Sequence, residues 1–287
     1  MNKDELTIIP RILEFFNLGD LLRTEPAKSG ISNHNYLAET TIGEYFIKFV
    51  INQSVESLQN DLYIQKQLKK SGVNSPTYMF NDKNQHLYSD EQFRVVVSKR
   101  IVGESPRKIN ENLAHDFGEI LGKFHLSVKK LPNPNEKGLM NPKVSKISSS
   151  IFDTDLPVGT IHGDFYSGNA LVDIKTKSKI VAMLDFEEAG ENVLIIDLAL
   201  TVMGVCSKNA DSVDLDLIKN TISGYENARK MSKHEKDHFD EAINYAASTW
   251  IKWFSENDYK KYAIRHKNKV KSYNSIKDEL LTWLKNH

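Results

Sequence analysis

Between positions 161 and 199 the chain reads IHGDFYSGNALVDIKTKSKIVAMLDFEEAGENVLIIDLA, and His162, Asp164, Asn169, Asp185 and Asp197 punctuate its apolar runs. A carboxylate beside a hydroxyl can take its proton, and two further hard oxygen donors can hold a divalent cation against phosphate oxygens. Phosphoryl transfer needs both. Asp164 fits the first role; Asn169 and Asp185 fit the second.

For that chemistry Asn169 and Asp185 must meet. Residues 158–161 read as a lead-in strand, 170–172 as a short strand, 175–178 as a polar turn and 180–184 as the strand that delivers Asp185. An antiparallel hairpin of this kind brings Asn169 and Asp185 to one end of two paired strands, within reach of one ion. Asp and Asn are common in ordinary turns, so the hairpin is a second, independent requirement. The spacing His-x-Asp-x4-Asn followed by Asp-Phe is that of a kinase catalytic loop and metal-binding strand.

The segments HGDFYSGN, LDFEEAG and IIDLALTV resemble, in turn, the catalytic loop, metal strand and following helix start of the aminoglycoside phosphotransferase and choline kinase superfamily. LDFEEAGENVLIIDLALTVMGVC is most similar to the homoserine kinase branch, and the resemblance covers most of the chain. It implies an α+β, bilobal protein-kinase-like fold: an antiparallel-sheet N-lobe over residues 1–98, a hinge at 99–103 and a mainly helical catalytic and substrate-binding lobe over 104–287. ATP and Mg²⁺ are the cofactors it implies, with the nucleotide between the lobes. Asp185-Phe186-Glu187 runs directly on to Asp197 with no activation loop, which favours a small-molecule kinase over a protein kinase. His162 and Asp197 would brace the catalytic loop.

Lys48 interrupts the apolar strand YFIKFV, either as a phosphate-holding cation or as a solvent-facing lysine. The resemblance implies the former and points to Asp61 as its carboxylate partner. Most relatives carry Glu there; Asp is a methylene shorter, and Glu56 is the other candidate. Ser29, Gly30 and Ser32 lie in the loop 28–34, where backbone amides of small residues can cradle phosphates. Lys99 and Ile101 are the hinge positions whose backbone would read the adenine edge. In LGKFH, the resemblance implies a structural His125.

Hydrophobic residues make up 40% of the 287, enough for a sizeable core, and 38 basic residues balance 38 acidic ones, giving no global pull toward nucleic acid or an anionic membrane. The single Cys206, within LALTVMGVC, excludes an intrachain disulfide and reads as a buried small residue. With no apolar stretch long enough to span a bilayer and no signal-peptide pattern, the expectation is a cytoplasmic protein.

The remaining pattern predicts a short helix from Pro10, strands at 21–27, 34–40 and 44–50, a helix over 54–71, two or three strands between 78 and 98, and a helix over 111–130. Residues 131–150, rich in Pro, Asn, Lys and Ser, read as a surface excursion. Helices follow at 199–206, 214–228, 232–257 and 270–285. His234 and His238 match a His-Glu-x-x-His zinc pattern, but Ser232 to Glu235 is a capping box that puts both at an exposed helix opening.

Glu187, Glu188 and Glu191 crowd the segment after Asp185, either as solvated carboxylates or as a field favouring an amine-bearing acceptor. Tyr245, Trp250, Trp253 and Phe254 are either core or an aromatic box for a cationic nitrogen. The acceptor expected is thus a small hydroxyl compound with a cationic nitrogen: homoserine-like, choline-like or an aminoglycoside. The helix containing AASTWIKWF lacks the arginines that homoserine kinases carry there, which counts against homoserine itself. The rival from another class is a nucleotide-binding pseudokinase acting as sensor or scaffold.

Overall fold

The computed structural model describes residues 3–27 and 33–287. Its packing divides the chain into two units, residues 1–58 with 76–102 and residues 59–75 with 103–287.

The first unit contains α1 (Lys3–Phe15), β1 (Leu21–Pro26), β2 (His34–Thr40) and β3 (Gly43–Phe49), the opening turn of α2 (Val55–Lys70), then β4 (Tyr88–Ser89) and β5 (Arg94–Lys99). The strands form one antiparallel sheet in the order β1-β2-β3-β5-β4. Along β3, Tyr45, Ile47 and Phe49 are buried and alternate with half-buried Phe46 and Lys48. The buried set packs with Ile9, Ile12, Leu13 and Phe16 of the N-terminal helical segment. Period-two alternation therefore puts Lys48 on the face opposite this small core.

Two expectations are corrected in this unit. The first helix starts at Lys3 and carries Pro10 inside it. Its first turn is fixed by Glu5, which is buried and accepts from the Tyr36 hydroxyl at 2.7 Å, while Pro10 is exposed, so the carbonyl it leaves unmet can be hydrated. Between 78 and 89 the strands shrink to one bridge, Tyr78 to Ser98, and the two-residue β4.

The second unit holds the rest of α2, then α3 (Glu111–Ser127), α4 (Pro142–Ser145), β6 (Val158–Ile161), β7 (Ala170–Val172), β8 (Ile180–Met183), β9 (Gly190–Val193), α5 (Leu194–Val205), β10 (Ser207–Asn209), β11 (Ser212–Val213), α6 (Leu215–Ala228), α7 (Lys233–Asp237), α8 (Phe239–Glu256), α9 (Lys260–Asn274) and α10 (Lys277–Asn286). On α3 the stripe Leu113, Phe117, Leu121 and Phe124 is buried, and the Asn110 side chain caps the helix by accepting from Leu113 N–H at 2.9 Å. α5 is buried almost throughout, as its unbroken apolar sequence requires.

Helices α3 and α6 lie in backbone contact because each contributes a glycine. A Cβ on Gly118 would sit 1.8 Å from the Thr221 carbonyl oxygen, and one on Gly224 would sit 1.9 Å from that of His115. The predicted 232–257 helix is two, α7 and α8, meeting at His238, whose ψ of 9° leaves the helical basin. Helix α9 begins at Lys260, ahead of the predicted 270–285 helix; its opening turns, KKYAIRHK, carry too few apolar residues to announce a buried face.

Candidate active site

Residues 162–164 are hung on Asp197, at the start of α5. The backbone N–H groups of His162 and Gly163 donate to its two carboxylate oxygens at 2.6 and 2.9 Å, and His125 Nε2 donates to one of them at 3.0 Å. Burial works to raise the Asp197 carboxyl, but these donors and the two histidines hold it below the ordinary carboxylate range. The network continues: the Tyr225 hydroxyl lies 2.8 Å from His125 Nδ1 and accepts from Arg229, which also meets Glu235 at 2.8 Å. The close α3–α6 approach is what lets Tyr225 reach His125.

His162 is fully buried, and burial holds its imidazole neutral. Nε2–H donates to the Leu184 carbonyl at 3.0 Å and Nδ1 accepts from Asp164 N–H at 3.2 Å, so one ring ties the loop to the strand before Asp185. Gly163 has φ +81°, and a Cβ there would fall 2.6 Å from the Glu188 carbonyl oxygen. Only glycine fits that turn.

The hairpin expected from the sequence is present. Ala170 pairs with Met183 and Leu171 with Ala182, and Leu184 N–H donates to the Asn169 carbonyl at 2.9 Å. Asn169 donates from Nδ2 to the Asp164 backbone oxygen at 2.9 Å and to its carboxylate at 2.8 Å, which turns the Asn169 carbamoyl oxygen to other partners. Asp185 is exposed and holds φ +60°, a left-handed conformation that Asp tolerates better than most residues.

Asp164, Asp185 and Glu188 gather negative charge in one small region. Burial, then Glu188 and Asp185, drive the Asp164 carboxyl well above its ordinary value. Burial likewise lifts Glu188 to about 6, although Leu139 N–H donates to it at 2.6 Å. Carboxylate and amide oxygens are the hard donors that Mg²⁺ takes, and by donor type Asn169 and Asp185, at one end of the hairpin, could hold one.

The model of the "Phosphotransferase enzyme family" matches residues 23–144 and 140–231, most of the chain. The chain belongs to that family. The phosphotransferase is 24% identical over 245 residues to a homoserine kinase of Methylobacillus glycogenes, covering 78% of this chain and 76% of that one. It is 26% identical over 251 residues to a homoserine kinase of Caulobacter vibrioides, covering 78% of each. Among solved structures it is similar to a microcompartment-associated aminopropanol kinase (TM-score 0.68, 16% identity, 94% of this chain and 98% of that one). It is also similar to an amicoumacin kinase solved with AMP-PNP and Ca²⁺ (TM-score 0.68, 12% identity, 93% and 95%). These neighbours share the fold expected from the sequence, with an antiparallel N-terminal sheet and a mainly helical C-terminal part.

In the first unit of the phosphotransferase, Lys48 Nζ donates to Gln53 Oε1 at 3.3 Å, a partner the sequence did not suggest. Lys99 closes β5 and is exposed; Ile101 follows it, half-buried. Ser29, Gly30 and Ser32 lie outside the described residues. In the second unit Asp61 is 3% exposed, whereas Glu56, in the first, is exposed.

Residues 131–150 are more than a surface excursion. Asn135 Nδ2 donates to the carbonyls of Glu187 and Ala189 at 3.1 and 2.9 Å, Leu139 holds Glu188, and the Met140 carbonyl accepts from Asn192 and Tyr245. Polar composition concealed this role because the contacts are made by single amides rather than by a periodic face. Tyr245 and Trp250 are buried; Trp253 and Phe254 are half-buried and stack on Tyr259 and Tyr262. Glu191 is exposed on β9. Tyr166, between Asp164 and Asn169, was not singled out in the sequence; its phenol is pushed up to about 12 by burial and then by Asp164 and Asp185. Cys206 is buried as expected, and burial raises its thiol to about 12. His234 and His238 open α7 and α8 behind the Ser232–Glu235 capping box, and among the described residues no third ligand joins them. No helix among the described residues is long and apolar enough to cross a membrane.

Proposed function

We propose that the chain is an ATP- and Mg²⁺-dependent small-molecule kinase, transferring the γ-phosphate to a hydroxyl of an amine-bearing acceptor. The observation that carries this reading is the hydrogen-bonded group of Asp164, Asn169 and the hairpin that delivers Asp185. Asp164 orients the acceptor hydroxyl and takes its proton; a carboxyl raised by burial and then by its acidic neighbours is better matched to that task than an ordinary Asp. The hydroxyl oxygen bonds to the γ-phosphorus, and the bond from that phosphorus to the β–γ bridging oxygen breaks with its electron pair remaining on ADP. Asn169 and Asp185 would hold Mg²⁺, which when bound neutralises phosphate charge. Lys48, with Asp61 as its anionic partner, holds phosphate oxygens, and the segment containing Ser29, Gly30 and Ser32 cradles them.

In this reading residues 1–98 form the nucleotide-binding lobe, 99–103 the hinge and 104–287 the catalytic lobe, with the backbone at Lys99 and Ile101 reading adenine. Glu187 and Glu188 supply the negative potential that draws a cationic nitrogen. The fold of the aminopropanol and amicoumacin kinases and the homoserine kinase relatives support an alcohol acceptor that also carries nitrogen. A cytoplasmic location accords with these assignments.

The test is ADP release with Mg-ATP across homoserine, choline, ethanolamine and several aminoglycosides, each beside Asp164→Asn. Turnover on an acceptor, lowered at least ~100-fold in the variant, supports the kinase. ATP binding with no turnover on any acceptor would instead favour the pseudokinase.

A further inference from the structure

Two glycines fix where the Tyr166 side chain lies. At its stem, a Cβ on Gly204 of α5 would fall 2.8 Å from the Tyr166 Cβ; at its tip, a Cβ on Gly168 would fall 2.6 Å from both Cζ and the phenol oxygen. An alanine at Gly168 would push the phenol aside. The ring, half-buried, thus lies across the end of the catalytic loop, whereas the neighbouring Phe165 is buried against Phe117 and His162. The same loop end is closed by Asn169, whose N–H donates to the Tyr166 carbonyl at 2.9 Å and whose Nδ2 holds Asp164.

The phenol oxygen therefore sits against Gly168, next to the Asp164–Asn169 pair, and both Asp164 and Asp185 act on it through space. Burial and these two charges keep it protonated. Among the described residues no group accepts from its O–H. The other donors of this region are already committed: Asn169 Nδ2 to Asp164, the N–H groups of His162 and Gly163 to Asp197, and Leu139 N–H to Glu188. What the region otherwise offers is carboxylate oxygen, which only accepts. A phosphoryl group likewise presents only acceptor oxygens and needs donors.

Resting on the kinase reading above, we propose that Tyr166 is a further catalytic residue, its phenol O–H donating to an oxygen of the phosphoryl group as that group reaches the acceptor. Tyr166 keeps its proton throughout: the acceptor proton goes to Asp164, and the electron pair of the broken bond stays on ADP. The phosphoryl group travels toward the hydroxyl held by Asp164, and so toward the phenol beside it. The hydrogen bond is thus stronger in the transition state than with bound ATP. Such a donor acts on kcat and leaves KM nearly alone.

The test is Tyr166→Phe, which removes the O–H and keeps the ring. ADP release from Mg-ATP is followed with homoserine, choline, ethanolamine, several aminoglycosides and water as acceptors. Calorimetry then compares Mg-ADP alone with Mg-ADP plus fluoroaluminate, a mimic of the phosphoryl group in transfer. Expected is a kcat lower by ~10- to 100-fold, a fluoroaluminate gain in affinity reduced by a similar factor, and KM values and Mg-ADP affinity within ~3-fold of wild type. Gly168→Ala, which displaces the phenol, should lower kcat in the wild-type background and cost at most ~3-fold more in Tyr166→Phe. A kcat within ~3-fold of wild type, or a loss confined to KM and Mg-ADP affinity, overturns the proposal and leaves the kinase standing. Silence of the wild type on every acceptor and on water overturns both readings. The same measurements on Gly168→Ala decide the matter should Tyr166→Phe fold poorly.

Discussion

Asp197 and Asp164 belong to one segment, the first fully buried and the second half-buried, and their surroundings are opposite. Asp197 receives two backbone N–H groups and His125, and its ionised form is favoured despite full burial. Asp164 receives the Asn169 amide and faces Glu188 and Asp185, and its ionised form is disfavoured. The first is an anchor whose charge is already answered by the protein. The second is left in an unbalanced field that a cation and an acceptor proton can relieve, at some cost to the stability of the empty enzyme.

The sharpest way to break this contrast is Asp197→Ala, which strips the loop of its anchor and leaves His162 and Gly163 N–H groups buried without an acceptor. A loss of about 3–5 kcal/mol in urea unfolding is expected. Asp164→Asn should do the reverse: turnover falls at least ~100-fold, while the empty protein melts higher than wild type at neutral pH. The sign follows from linkage. A carboxyl raised in the folded state costs stability as pH rises above its unfolded value, and an amide does not. A lower melting temperature for that variant would contradict the repulsion assigned to Asp164.

Asp185→Ala should remove the Mg²⁺-dependent part of nucleotide affinity, at least ~10-fold, by calorimetry with and without the ion. Unchanged binding would remove Asp185 from the metal role. The smallest effect is expected for Glu188→Gln. With its carboxyl raised to about 6, Glu188 contributes stability below its unfolded value of about 4.3 that is lost as pH rises toward 6. The variant should therefore gain on wild type by roughly 1–2 kcal/mol between pH 4 and 7 and be level with it below that window; thermal melts across the range measure this.

Much of the site was legible because its residues are close in sequence. The catalytic loop and the hairpin to Asp185 involve short-range connections whose geometry strand and turn rules specify, so Asp164, Asn169 and Asp185 could be named together. Lys48 was legible as a charge at an alternating position of an apolar strand. Asn135 and Leu139 were not, because a loop that braces another loop through single backbone contacts leaves no periodic trace. Tyr166 was missed for a related reason: it lies between Asp164 and Asn169 without a side chain suited to proton transfer or metal binding.

The sequence by itself determined the family, the hairpin and the apolar faces of α3 and α5. Those features rest on local spacing and on hydrophobic periodicity, which are properties of neighbours along the chain. Only the tertiary structure decided which acid is answered and which is not, since the donors to Asp197 include His125, 72 positions away. It also decided that Tyr225, 100 positions from His125, completes the brace. Electrostatic balance depends on distances through space, and packing alone sets those distances.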